Sequence, residues 1–506
     1  MGRKSKRGGG VKTGPPVKGE EKETDVPPTL SKSAKREVTE LVTQLLEICS
    51  KPPASGAKEL EDYPEIHGLV EKIRKIQSSV NSPPQNREEL FPAFLEWLHK
   101  NGVDTSAVEI ASFPGFGYGL KTTKDIKEAD LLLKIPRKLM LTVDSAKMSV
   151  LGELISEDKI LQVMPNVTLA MHLLIEFKVA DSFWKPYLAI LPHTYNTPLY
   201  LTPEELQHLK GSPTLGNSIT QYRSIARQYA YFYRLLQKHP AAAKLPIKDN
   251  FTFDDYRWAV STVMTRQNLI PGKDGEKQTF GLIPLWDMCN HSNGIYTSDF
   301  DIENDCSLCY AQQDCSAGDQ LFMFYGPRSN GEFFVHNGFV YAENDHDRLS
   351  LKLGISKGDP LFEAKSELLA KLNLSASRSY FLHCGDYPVD GELLAFLRVF
   401  CMDEDTLRAE EKKENHENLM ELETPLSQDN EEKVWNFLET RAALLLKSYP
   451  STVQEDEIQL MQTDLPTTLQ MMLKLRIGEK RILQQTASFT SQRKHMMKER
   501  SGQINS

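Results

Sequence analysis

Between about residues 145 and 250, apolar residues recur at helical spacing, as in Leu169, Leu173 and Leu174 and again in Ile225, Tyr229, Phe232 and Leu236. The flanking chain is cut instead into short alternating runs. Those at 108–112, 119–123, 131–135 and 139–142, spaced by Pro114, Gly115, Gly117, Gly119 and Pro136, predict a meander of short strands. Strand texture resumes at 278–284 and at 320–325, the latter after the turn Ser316-Ala317-Gly318-Asp319. A helical block thus interrupts a β-rich one, and the class is α+β.

Three apolar stripes precede the meander. Val38, Leu41, Val42, Leu45, Leu46 and Cys49 form the first, which Pro52 and Pro53 stop. Ile66, Leu69, Val70, Ile73 and Ile76 form the second, and Leu90, Phe94, Trp97 and Leu98 the third, before Asn101-Gly102. Beyond residue 361, stripes at 393–402, 434–447 and 469–483, with a polar linker at 410–430 between the first two, predict a separate all-α domain. The chain divides into a disordered tail at 1–30, a helical segment at 31–102, a β-rich domain at 103–340, an all-α domain at 341–490 and a flexible tail at 491–506.

A length of 506 residues agrees with about three domains. Sixty Lys and Arg against 69 Asp and Glu leave a net charge of -9, which argues against a grip on nucleic-acid phosphates. The longest apolar stretches, at 131–135 and 393–397, fall far short of a membrane span. With no apolar run behind Met1-Gly2-Arg3, no secretory signal is expected, and a cytoplasmic address, with nuclear presence as well, follows. Seven cysteines are expected as thiols. The cluster from Arg3 to Arg7 reads as solvated charge before it reads as an import signal.

Several constellations could carry chemistry. Gly115-Phe116-Gly117-Tyr118-Gly119-Leu120 lacks the G-x-G-x-x-G spacing and the following helix of a dinucleotide site, so a hairpin turn is preferred, with close backbone approach to a ligand left open. Thr252 opens a helix that ends in Thr265-Arg266-Gln267-Asn268. In Leu285-Trp286-Asp287-Met288-Cys289-Asn290-His291, Cys289 and His291 have no third group to orient them, which disfavours hydrolysis. Asn290 and His291 either bond a ligand or close a turn. Cys306, Cys309 and Cys315 lack a second ligand pair, so thiols are preferred to zinc and no metal is expected. Tyr325 ends a strand before Gly326, and Ser329 and Glu332 cap a helix running to Asn337-Gly338.

Taken in order, the Gly115–Leu120 loop, Asn290-His291 after an apolar strand, and Phe324-Tyr325-Gly326 resemble the SET-domain methyltransferases. A helical insertion and a helical C-terminal substrate-binding domain are the layout of the subgroup that includes the Rubisco lysine methyltransferases. The runs 226–233 and 256–261, with Met264-Thr265-Arg266-Gln267-Asn268 and Ile283-Pro284-Leu285 through His291, are similar to its branch that methylates a histidine of actin.

That resemblance implies S-adenosyl-L-methionine as cofactor. Arg87, Phe116, Gly117, Tyr118, Arg266, Asp287, Met288, Cys289, Asn290, His291, Asn337, Gly338 and Phe339 would surround it. Tyr325 and Asn268 would be catalytic, and Trp286, Arg227 and Arg328 would hold the substrate. Close relatives read Glu-Gly-Phe where this chain has Phe116-Gly117-Tyr118, so only backbone contacts carry over there. The implied reaction places a methyl group on the tele nitrogen of an actin histidine, by a monomeric enzyme without membrane or nucleic-acid contacts. An imidazole with a pKa near about 6.5 is largely neutral at about pH 7, whereas a lysine amine near about 10.4 must first lose a proton. Histidine therefore needs orientation, which Asn268 can give by bonding the nitrogen that does not attack and Trp286 by stacking. A lysine methyltransferase acting on a histone or another protein and a non-catalytic actin-binding adaptor stay as alternatives.

Overall fold

The computed structural model describes residues 29–80, 86–273, 275 and 277–504, so the tail expected at 1–30 lies almost wholly outside the described residues. Helices Lys32–Ser50, Gly56–Gln77 and Phe91–Lys100 form the N-terminal layer. Ser31 starts the first by accepting the Ala34 N–H, and Val38, Val42, Leu45 and Cys49 form its buried face. The helix Pro213–Lys238 fastens this layer to the insertion. Its Arg223 donates to the carbonyls of Ile48 at 2.7 Å and Lys51 at 2.6 Å, which end the first helix without an intrahelical partner.

The helical block runs from Val143–Met148 to Phe253–Arg266, and each of three small sheets joins strands from before it to strands after it. One sheet has the order Val108–Phe113, Gly117–Thr122, Gln320–Met323, Asn290–His291. A second has Leu131–Pro136, Cys306–Tyr310, Ser298–Asp301, and the third Leu141–Thr142, Gln278–Leu282, Asn268–Pro271. All their ladders are antiparallel except one: Phe322 and Met323 pair in parallel with Asn290 and His291. That ladder sets the two segments with the densest functional groups side by side.

The C-terminal region is mainly helical, as expected, but not wholly so. Strands Arg348–Gly354 and Ser377–His383 pair antiparallel around the helix Phe362–Lys371. The alternation Leu349, Leu351, Leu353 buries one face of the first strand, a period of two that the expectation of an all-α domain overlooked. Nor is 410–430 a loose linker. Arg398, fully buried, donates to Glu431 at 2.6 Å and to the carbonyls of Asn418, Leu419 and Glu421 at 3.0 Å each, holding the segment against the core.

The expected flexible tail is corrected as well. The last helix, Thr467–Ile504, continues through 491–504, pinned by Arg493 on Glu423 and Lys494 on Glu439. This helix also joins two cores. Met471, Met472 and Leu475 pack into the core shared by the N-terminal layer and the β-rich domain, while Ile482, Leu483 and Phe489 pack into the C-terminal one. Between them, Glu479 accepts the hydroxyls of Ser212 at 2.8 Å, Thr214 at 3.1 Å and Tyr449 at 3.0 Å. No helix among the described residues is long and apolar enough to cross a membrane.

Candidate active site

The end of Phe253–Arg266, the turn Trp286–Met288 and the segment after Gln320–Met323 converge on a cavity of about 500 Å³. Arg266, Asn268, Trp286, Asp287, Tyr325, Arg328 and Asn337 all line it, although they span some seventy residues of sequence. Asn268 is half-buried, and its Nδ2 donates to the Arg266 carbonyl at 3.1 Å, which fixes the amide at the start of its strand. Trp286 is buried, and its Nε1 has no hydrogen-bond partner.

Arg266 meets Asp287 twice, donating from Nη1 to its carbonyl at 2.7 Å and standing 3.5 Å from Oδ1. Tyr187, from the helical block, donates to Oδ2 at 2.5 Å. Burial pushes the Asp287 carboxyl above its ordinary range, with Arg266 opposing. Burial works against the charge of Arg266 too, but Asp287 and the surrounding phenols more than compensate and raise its pKa. Arg87 donates to the Ile190 carbonyl at 2.6 Å and lies 5.2 Å from the Tyr118 ring centre. Burial first, and then the charge of Arg266, push Arg87 down to about 10. Two guanidiniums thus face one region, and the buried Asp287 carboxyl acts on both.

Beside them, Tyr325 donates its hydroxyl to the Cys289 carbonyl at 2.7 Å and its N–H to Nδ1 of His291 at 3.2 Å. Accepting that N–H requires Nδ1 to be unprotonated, and burial pushes His291 down to about 4, so the ring is neutral. Phe333, Tyr341, Tyr325 and Phe339 pack around it at 4.6, 5.2, 5.3 and 6.0 Å between ring centres. Burial drives the Cys289 thiol and the Tyr325 phenol well up, which keeps both protonated near neutral pH. Neither is built as a nucleophile or base. Cys306 and Cys309 are buried in their strand, and no described group of three His, Cys, Asp or Glu is placed to hold a metal.

The glycine loop is the expected hairpin, with Phe113 paired to Gly117 and positive φ at Gly115 and Gly117. At Gly119 a Cβ would stand 2.7 Å from Nδ2 of Asn290, which donates to Gln320 at 2.9 Å, so any larger residue there would have to displace that side-chain end. Tyr118 bonds Glu88 through its hydroxyl, and Phe116 stands exposed against Phe322. Arg328 donates to Asn337 at 2.8 Å. Gly338 ends that turn in the left-handed region, Phe339 stacks on Phe333, and Met288 is buried beneath the site.

One candidate is placed apart. Arg227 is exposed, and its charge acts on the Cys49 thiol in the N-terminal layer, whereas Ser224, Ile225 and Gln228 of the same helix face a neighbouring groove. Its position falls on a different face, since each residue turns an α-helix by about 100°. Conversely, Tyr187 was not found by reading the sequence: it reaches Asp287 from a hundred residues away, and nothing in its neighbourhood signals that contact.

Residues 117–326 match the SET domain family, and residues 356–483 match the Rubisco LSMT substrate-binding family. A Gallus gallus protein named actin-histidine N-methyltransferase is 49% identical over 454 residues, covering 89% of this chain and 77% of the relative. Its Mus musculus namesake is 47% identical over 471 residues, covering 91% and 79%. The chain belongs to the actin-histidine N-methyltransferase family of SET-domain enzymes. A solved structure of Rubisco LSMT bound to AdoMet superposes with a TM-score of 0.66 at 25% identity, over 82% of this chain and 93% of that one. Like others in this SET family, the protein is an S-adenosylmethionine-dependent methyltransferase.

The residues present fit that cofactor. Nε of Arg266, Oδ1 of Asp287 and Nε2 of His291 are buried without hydrogen bonds, and each such orphan costs about 1–3 kcal/mol unless a polar occupant meets it. A cationic pair and a buried carboxylate in one cleft suit a ligand carrying both an ammonium and a carboxylate.

Proposed function

We propose that this enzyme methylates the tele nitrogen of a histidine side chain of actin. The observation that carries the reading is the joint lining of one cavity by Asn268, Trp286 and Tyr325. The names of relatives at 47–49% identity support the choice of actin.

Arg87, Arg266, Asp287 and the backbone of 116–118 would hold the cofactor, with Asn290, His291 and residues 337–339 around its base. When bound, it supplies an electrophilic methyl group on a sulfonium. The protein then has to bring an imidazole lone pair into line and keep water out. With its Nδ2 committed to the Arg266 carbonyl, Asn268 has its Oδ1 left to accept the pros N–H of the substrate ring. That selects the tautomer whose lone pair sits on the tele nitrogen. Trp286 offers a buried aromatic face to fix the ring plane. Once the methyl group has moved, the imidazolium can release its pros proton to solvent. Tyr325 stays a phenol and positions the reacting groups through its bond to Cys289.

Actin binding, cytoplasmic and nuclear residence, and action as a monomer belong to the same proposal; the seven free cysteines suit a reducing compartment. Incubation with S-adenosylmethionine and actin, followed by amino-acid analysis, should yield tele-methylhistidine. Methyllysine instead would establish the lysine reading, and cofactor binding with no methylated product would defeat the proposal.

A further inference from the structure

One short helix of the insertion, Lys185–Ala189, and the residue after it hold two of the charged groups around the cofactor's place, Asp287 and Arg87. The helix is tied at its start to the β-rich domain by the Trp184 indole, which donates to the Leu139 carbonyl at 3.0 Å, and Pro186 presets its first turn. Tyr187 is fully buried there, with its ring centre 6.2 Å from that of Phe94 in the N-terminal layer. Packing leaves the phenol little room to turn. Its hydroxyl donates to Oδ2 of Asp287 at 2.5 Å, and just past the helix the Ile190 carbonyl accepts Nε of Arg87 at 2.6 Å.

The two oxygens of the Asp287 carboxylate have different surroundings. Oδ2 has the phenol, whereas Oδ1 is buried, stands 3.5 Å from Nη1 of Arg266 and has no hydrogen bond. The other phenols nearby do not serve it: the Tyr195 hydroxyl is shared with Thr262 at 2.7 Å, and that of Tyr325 is spent on the Cys289 carbonyl. Burial pushes the Asp287 carboxyl up, and Arg266, Tyr187 and Arg87 pull it back toward the ionised form. Burial and the charge of Asp287 drive the Tyr187 phenol far above its ordinary value, so it stays a donor. An ionised carboxylate with one oxygen held and the other unpaired is a receptor for a cation that has a hydrogen to give.

We propose that Tyr187 is a positioning residue for the amino-acid end of the cofactor: by holding Oδ2 it keeps Oδ1 of Asp287 ready for the ammonium group, while Arg87 and Arg266 take the carboxylate. The phenol touches no reacting atom. It acts through Asp287 alone, by fixing the carboxylate and favouring its ionised form. An ammonium needs that ionised form, so affinity for an amino-bearing ligand falls as pH drops through the Asp287 pKa, and without the phenol the fall begins at higher pH. A Tyr187 that served packing only would matter equally to every ligand of the cleft.

The test uses the full chain with Tyr187→Phe, which keeps the ring against Phe94 and removes only the hydroxyl. Isothermal titration compares S-adenosylhomocysteine, its analogue lacking only the amino group, and 5′-methylthioadenosine, which lacks the whole amino-acid end. At about pH 6.5 the variant should bind S-adenosylhomocysteine about tenfold more weakly than wild type, as expected for one hydrogen bond to a charged group. The other two ligands should bind no more than about twofold more weakly. The gap for S-adenosylhomocysteine should narrow as pH is raised toward about 8, and the ligand's own amino group, which titrates alike with both proteins, does not enter it. Equal weakening for all three ligands, wild-type affinity for S-adenosylhomocysteine, or a gap that does not move with pH overturns the proposal. Should circular dichroism show Tyr187→Phe unfolded, Asp287→Asn carries the ligand comparison: its loss must be about tenfold or more with S-adenosylhomocysteine and about twofold at most with the amino-less analogue, and equal losses overturn the proposal.

Discussion

Arg398 in the C-terminal domain and Arg266 at the catalytic cavity both stand beside a buried carboxylate, yet their surroundings differ. Arg398 lies in a closed core, with Glu431 on Nε and three carbonyls on Nη1. Arg266 lines an open cavity, takes one carbonyl at hydrogen-bonding distance, stands 3.5 Å from its carboxylate and keeps Nε unpaired. Each keeps one buried nitrogen unpaired, Nη2 of Arg398 and Nε of Arg266, so what distinguishes the ligand site from the clamp is the cavity that Arg266 lines. Burial alone does not separate architecture from function; the unspent donor next to a cavity does.

The largest expected effect is on the clamp. Arg398→Met leaves Glu431 buried without its partner, which should cost about 3–5 kcal/mol. Calorimetry should show the C-terminal transition lowered by roughly 10 °C, with cofactor affinity unchanged in the cold. At the other site, Arg266→Gln should reverse the pattern. Cofactor affinity should fall about tenfold to a hundredfold by isothermal titration, with a smaller loss of melting temperature because Asp287 can take up a proton. Equal thermal losses in the two variants would erase the distinction.

A smaller effect is expected from Gly119→Ala, which forces Asn290 aside. Overpacking of this kind costs about 1–3 kcal/mol, and cofactor titration should show affinity reduced severalfold. The smallest change at neutral pH is expected at Glu479, on the seam between the two regions. Burial raises it from its ordinary 4.5 to about 7, against the pull of its three hydroxyl partners. The fold therefore prefers the protonated acid. Its stabilisation is present below pH 4.5 and lost as pH rises to about 7. Glu479→Gln removes that step, so the melting-temperature difference between variant and wild type should change within this window and stay flat on either side.

Much of this was legible in the sequence because period is a local signal. The three N-terminal stripes, the short strands flanking the helical block and the capping residues Thr252 and Ser329 all stand where their spacing put them. The strand Arg348–Gly354 was equally legible and was overlooked among helical stripes. Other features had no local signal. The segment 410–430 is polar in composition and is ordered because Arg398 captures its carbonyls, and 491–504 stays helical because Arg493 and Lys494 find acids on neighbouring elements. At the site, Arg266 and Asn268 follow one another closely, but Tyr187 reaches Asp287 only through the fold of the helical block, and Arg227 is turned away by helical phase.

The central claim is that the Asn268 carboxamide orients a neutral imidazole beside Trp286. Replacing Asn268 by Phe, and measuring methylhistidine formation on actin alongside cofactor affinity by calorimetry, tests it most directly. The account predicts that imidazole methylation falls by at least about tenfold while cofactor affinity stays within about twofold, since one charge-free hydrogen bond and the aim of the ring are lost but the cofactor contacts are not. Parallel loss of both, or methylation at the wild-type rate, would contradict it.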